Sequence, residues 1–163
     1  MGEHARQVQE RLADRLAAAL PAAEWSVERP VGGTPVDVAG ETPDRLVLLE
    51  LEWRRADPAN NTAKLFRHLA DDGALRAVLG DRDAVVVQLF TNYYDLASGG
   101  VSSKRRDATF VGAAAAEYLD NVAYWPVDLS IDPPKGGGEL PEDWNAAVDA
   151  AVDSIVDRLE ASR

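Results

Sequence analysis

The chain has no cysteine, which excludes disulfides, thiolate metal sites and cysteine nucleophiles. It also lacks any run of about twenty apolar residues, so no segment reads as a membrane-spanning helix. Its first residues, MGEHARQVQERLADRL, are charged and amphipathic where a secretory signal would carry an apolar stretch, and a cytoplasmic location is the expectation. With two histidines, His4 and His68, and no thiols, a bound metal would have to rely mainly on oxygen ligands. Lysine is scarce as well: Lys64, Lys104 and Lys135 stand against fourteen arginines.

What is abundant is negative charge. A net charge of -11 ordinarily argues against a nucleic-acid partner, because phosphate binding is driven by Lys and Arg releasing counterions. The combination of few lysines, many surface aspartates and much alanine and valine suggests a halophilic protein in a cytoplasm of molar salt. There an acidic surface is general solubility chemistry, and local basic clusters say more than the total. At 163 residues the chain is sized for one domain able to bury its own core.

Val8, Leu12, Leu16, Ala19 and Leu20 predict an amphipathic helix over residues 3–20, ended by Pro21. Strands are expected over 25–31 and 34–41, joined by Gly32-Gly33, and over 45–53 (RLVLLELEW), the most apolar run and the expected central strand. A long helix from Pro58 to about Leu79, broken near Gly73, precedes a buried strand at 84–90. A polar loop over 91–107, a helix at 108–119 and a strand at 122–129 follow. A Gly/Pro linker at 132–141 leads to a C-terminal helix at about 142–160. The order α, three β, α, β, α, β, α makes a single α/β domain with a mixed sheet flanked by helices.

The third strand carries the chemistry. Alternation puts Leu46, Leu48, Glu50 and Glu52 on one face, the two acids roughly 7 Å apart. Thr42-Pro43-Asp44-Arg45 reads as a tight turn. If Thr42 pairs with Arg45, Asp37 falls directly opposite Glu50. Opposed carboxylates have β-carbons about 5 Å apart and repel, so something must compensate. The candidates are a hard divalent cation such as Mg²⁺ or salt bridges from Arg54 and Arg55. On the following helix Asn60, Asn61, Lys64, Arg67 and His68 form polar stripes at helical spacing. Lys104-Arg105-Arg106 is the densest basic run, read as part of the polar loop. Tyr93 and Tyr94 suit either packing or base stacking.

At Asp37 and Glu50-Leu51-Glu52 the sequence resembles the PD-(D/E)XK nuclease superfamily, the restriction-endonuclease-like fold. Its αβββαβ core corresponds to residues from about 3 to 129, with the C-terminal helix as an addition. Glu52 stands where the family's commonest pattern has lysine, an acid-x-acid form that some restriction enzymes of this fold share. The resemblance implies phosphodiester hydrolysis, with Asp37, Glu50 and Glu52 holding Mg²⁺ or Mn²⁺. Glu52 would be a ligand or general base, and Lys64 the displaced lysine. It also implies contacts to nucleic acid, expected to be DNA, from Arg54, Arg55, Asn60, Asn61, Arg67, Lys104, Arg105 and Arg106, and a homodimer as one working assembly. First-helix acids serve some members, which makes Glu3 and Glu10 further candidates. The alternative is a catalytically inactive module of the same fold that binds nucleic acid or a protein partner.

Overall fold

The structure, a computed structural model, describes residues 2–70 and 72–163. Helix α1 (Glu3–Ala19) buries Val8, Leu12 and Leu16, the stripe expected from their spacing. Strand β1 (Glu24–Val27) follows, then a two-residue hairpin of β2 (Pro30–Val31) and β3 (Thr34–Pro35), and then β4 (Val38–Glu41). Strand β5 spans Arg45–Glu52, α2 Pro58–Leu69, α3 Ala74–Leu79 and β6 Asp83–Thr91. A 3₁₀ turn (Asn92–Tyr94), α4 (Ser103–Tyr118), β7 (Val122–Leu129) and α5 (Trp144–Ala161) complete the chain.

Five strands form one mixed sheet in the order β1-β4-β5-β6-β7. β1, β4 and β5 are antiparallel neighbours, while β5, β6 and β7 run parallel. The two parallel steps proceed in the same direction, so right-handed crossovers place α2, α3 and α4 on one face. Leu46, Leu48, Ala84 and Val86 pack there with Leu65, Phe66, Leu69, Leu75 and Leu79. The other face, Val47, Leu49, Leu51, Val85, Val87, Leu89, Val127 and Leu129, is sealed by α1 and α5. The C-terminal helix therefore covers the side opposite Glu50 and Glu52.

Three expected elements differ in form, two strands at the hairpin and one helix. The strand expected over 34–41 is interrupted at Val36 and Asp37, and the one over 25–31 at Glu28. Pro30 and Pro35 face each other across the small hairpin and donate no ladder hydrogen bonds, and Glu28 takes φ +50°, so the hairpin tip folds off as a separate two-stranded sheet. Gly32 and Gly33, both at positive φ, make its turn. The helix is α4, which begins at Ser103 and not near 108. Ser102 caps it by accepting from the Arg105 N–H. Lys104, Arg105 and Arg106 thus lie in its first turn and not in the polar loop, although the helix dipole disfavours cations there.

The break near Gly73 separates α2 from α3 as expected. A Cβ there would lie 2.1 Å from the His68 carbonyl oxygen, so no larger residue fits the close return of the chain. No helix among the described residues is long and apolar enough to cross a membrane.

Candidate functional site

The β4–β5 hairpin has the expected register. Val38 pairs with Leu49 and Ala39 with Leu48, and the turn closes through the Thr42 N–H on the Arg45 carbonyl at 2.9 Å. Extending this ladder by one residue sets Asp37 against Glu50. Asp37 lies in the bend just before β4, and its side chain exploits that break. In an unbroken ladder the Leu51 N–H would meet the Val36 carbonyl; here it donates to Asp37 Oδ2 at 2.7 Å. The carboxylate thus replaces a backbone acceptor, which fixes Asp37 toward β5.

Glu52, the last residue of β5, is fully buried. Its Oε1 accepts from the Gln88 side-chain amide at 2.8 Å, while Oε2 has no hydrogen-bond partner. Asn61, in the first turns of α2, lies close enough to Glu52 to lower its pKa slightly. Arg55 lies between the acids, Nη2 3.9 Å from Asp37 Oδ2 and Nε 3.8 Å from Glu52 Oε2. Its backbone is clamped by the buried Tyr94, whose hydroxyl accepts from the Arg55 N–H at 2.9 Å and donates to the Arg55 carbonyl at 3.1 Å.

All three acids are held above their ordinary pKa. For Glu50, burial is the largest cause, then the charge of Asp37, with Arg55 opposing and Glu52 adding repulsion; the shift is large. Asp37 is raised by burial against the pull of the Leu51 N–H and Arg55. Glu52 is raised by burial against the Gln88 hydrogen bond and Arg55. One guanidinium therefore faces three carboxyl groups in a poorly solvated place, where burial and their mutual repulsion disfavour ionising all of them.

The donor set is all oxygen, suited to a hard cation, and Glu52 Oε2 is a buried acceptor without a hydrogen bond. Among the described residues no three His, Asp or Glu side chains are grouped as a ready metal cage. Mg²⁺ commonly uses one or two protein carboxylates and completes its shell with water and phosphate oxygens, and the Asp37–Glu50 pair with Glu52 alongside fits that smaller requirement.

The other predicted residues divide. Asn61 reaches the acids, as does Arg55. Lys64 does not: it is exposed, makes no hydrogen bond or ion pair, and lies two residues, about 200° of helix, beyond the inward-facing Thr62. Asn60 is exposed, and its N–H is used by the Asp57 cap at 3.0 Å. Arg67 and His68 stand in the last turn of α2, away from the end that meets Glu52. Arg54 and Lys104 both approach the Tyr93 ring, at 5.4 and 5.9 Å, forming a basic and aromatic patch next to Arg55 and Tyr94. Arg105 is committed elsewhere, 2.5 Å from Asp128 and over the Phe90 ring, whereas Arg106 is exposed. Glu3 and Glu10 belong to α1, across the sheet from the acids.

Gln88 and Tyr124 are the members of this site that sequence reasoning did not single out, whereas Tyr94, read as suited to packing or base stacking, is buried here and holds the Arg55 backbone. Gln88 interrupts the apolar strand AVVVQLF, a signal of the same kind as Glu50 and Glu52 in theirs. No protein-family model, curated protein or solved structure was found to match the chain.

Proposed function

We propose that this protein is a metal-dependent nuclease of the restriction-endonuclease-like class, hydrolysing phosphodiester bonds in nucleic acid, with DNA as the expected substrate. The observation that carries the reading is the hairpin register, which sets Asp37, in the bend before β4, beside Glu50 and Glu52 of β5. They lie at the carboxyl ends of the parallel strands, where open α/β sheets bind ligands. The αβββαβ order and the acid-x-acid spacing support it further.

In this reading Asp37 and Glu50 hold Mg²⁺ or Mn²⁺, with Glu52 beside them. An ion held there would supply a water of lowered pKa and offset charge on the scissile phosphate. Glu52 has one oxygen without a hydrogen bond, Oε2, which faces Arg55, and its raised pKa would suit it to accept a proton or to bind through that single atom. Arg55, and not Lys64, supplies the cation that the family pattern expects from lysine, since it is the guanidinium within about 4 Å of two of the acids. Arg54, Lys104 and Tyr93 lie where a phosphate backbone would approach. Two copies acting together would cut both strands of a duplex.

One observation favours a second reading. Arg55 already offsets part of the negative charge, and the acids do not form a complete metal cage. A catalytically silent member of the fold, binding nucleic acid or a protein through the same surface, would look similar. Calorimetric titration with Mn²⁺ in molar KCl, alongside assays on plasmid, branched and single-stranded DNA and on RNA, separates the two. The nuclease reading expects metal binding and cleavage, both lost in Glu50→Ala. Neither effect in the wild-type protein, over that substrate range, would leave the silent module.

A further inference from the structure

We propose that Gln88 is a positioning residue that locks the Glu52 carboxylate so that one oxygen, Oε2, faces Arg55 and the other acids. This inference rests on the nuclease reading for its purpose, though its geometry stands apart from it. Gln88 lies on β6 beside Glu50 in the parallel register and is 2% exposed. Burying a primary amide is costly unless its donors and acceptor are matched. Here each is: Nε2 donates to Glu52 Oε1 and to Thr62 Oγ1, both at 2.8 Å, and Oε1 accepts from the Tyr124 hydroxyl at 2.6 Å.

The direction of the amide follows from those partners. The Thr62 hydroxyl already donates to the Pro58 carbonyl at 2.9 Å, so it meets Gln88 as an acceptor. Tyr124 is pushed up to about 12, chiefly by burial, and its hydroxyl keeps its proton to give to Gln88. Reversing the amide would set an oxygen against the Glu52 carboxylate and an N–H₂ against the Tyr124 donor. Tyr124 is itself held in place. Its ring meets Phe66 edge-on at 6.0 Å, and Gly112 lets α4 close over it, since a Cβ there would come within 2.4 Å of the ring. Elements α2, β5, β6, β7 and α4 thus converge on one amide, and the consequence is a glutamate that cannot rotate to offer both oxygens.

A residue that holds a metal-facing carboxylate in this way typically changes metal affinity by 10–100-fold when removed. The test is Mn²⁺ calorimetry in molar KCl on Gln88→Leu, Tyr124→Phe and Thr62→Val, with melting temperatures measured in parallel. Gln88→Leu and Tyr124→Phe should weaken Mn²⁺ binding about 10-fold or more. Thr62→Val, which leaves the Tyr124–Gln88–Glu52 line intact, should lower the melting temperature while changing affinity less than about threefold. Tyr124→Phe guards against misfolding, because it removes one oxygen and keeps the ring. Wild-type affinity in both Gln88→Leu and Tyr124→Phe would overturn the inference while leaving the nuclease reading intact. If the wild-type protein neither binds Mn²⁺ nor cuts, that reading falls, and the nitrogen–proton NMR spectrum decides the positioning. Two resolved, slowly exchanging Gln88 side-chain protons that become fast in Glu52→Ala support it. Fast exchange in the wild-type protein overturns it.

Discussion

The two faces of the central sheet are made by the same strands yet serve different ends. On β5, Val47, Leu49 and Leu51 turn one way, into an apolar layer under α1 and α5 that runs the length of the strand. Leu46, Leu48, Glu50 and Glu52 turn the other way, and this face changes from apolar to acidic at the strand's carboxyl end. β6 repeats the change, Ala84 and Val86 giving way to Gln88. One face thus supplies cohesion without chemistry, while the other gives up cohesion over its last few residues to keep charged groups at the edge of the core.

The sharpest way to break this contrast uses adjacent residues. If the protein is the nuclease proposed above, Glu50→Ala should lower the cleavage rate by roughly 10²–10⁴-fold while the protein still folds cooperatively in urea. Leu49→Ala, next in sequence but on the opposite face, should cost about 2–5 kcal/mol of stability, read from the same urea curves, and leave the rate per folded molecule within a few-fold of wild type. A Leu49→Ala protein that folds normally yet does not cut would show that the division between faces is wrong.

Arg55 stands at the boundary of the two behaviours. Its guanidinium is the positive charge near Asp37 and Glu52, and its backbone is fixed by Tyr94. Arg55→Ala should reduce cleavage on the order of 10²-fold, the usual loss on removing one preorganised electrostatic partner, with partial recovery in Arg55→Lys. Lys64→Ala should leave the rate within about twofold, because an exposed side chain without partners contributes little. Equal losses from the two alanine variants would instead favour diffuse attraction of substrate over a local role for Arg55.

Most of the element order was legible from periodicity, and the hairpin register followed from one turn, Thr42 to Arg45. That register was legible because β5 is buried on both faces, so a slip by one residue would exchange its leucines for its glutamates. The kink at Asp37 was not legible, since it depends on Pro30 meeting Pro35 across a hairpin. Nor was the fate of the cations. Helical spacing places Lys64 near Asn61, but which way the helix rolls is decided by Thr62, Leu65 and Phe66 packing inward. Arg105 read as a phosphate contact because Asp128, its partner, lies 23 residues away on β7. Tertiary pairing of this kind leaves no local mark in a sequence.

The smallest of the expected effects concerns the energetic burden of the acidic end. Because the folded protein raises the pKa of Glu50 above its ordinary value of 4.5, ionising that carboxyl costs more in the folded state than in the unfolded chain. Its contribution to stability is therefore fully present below about pH 4.5 and is lost as pH rises through the raised folded value. Glu50→Gln keeps the shape and removes the charge. The wild-type and variant melting temperatures should nearly coincide at acid pH and separate toward neutrality, with Glu50→Gln the more stable by about 1 kcal/mol, or roughly 2–4 °C for a chain of this size. Added Mg²⁺ should narrow the gap by stabilising the wild-type protein alone. Parallel curves across the whole range would mean that Arg55 already satisfies Glu50, and the acidic face would then carry no more stored strain than the apolar one.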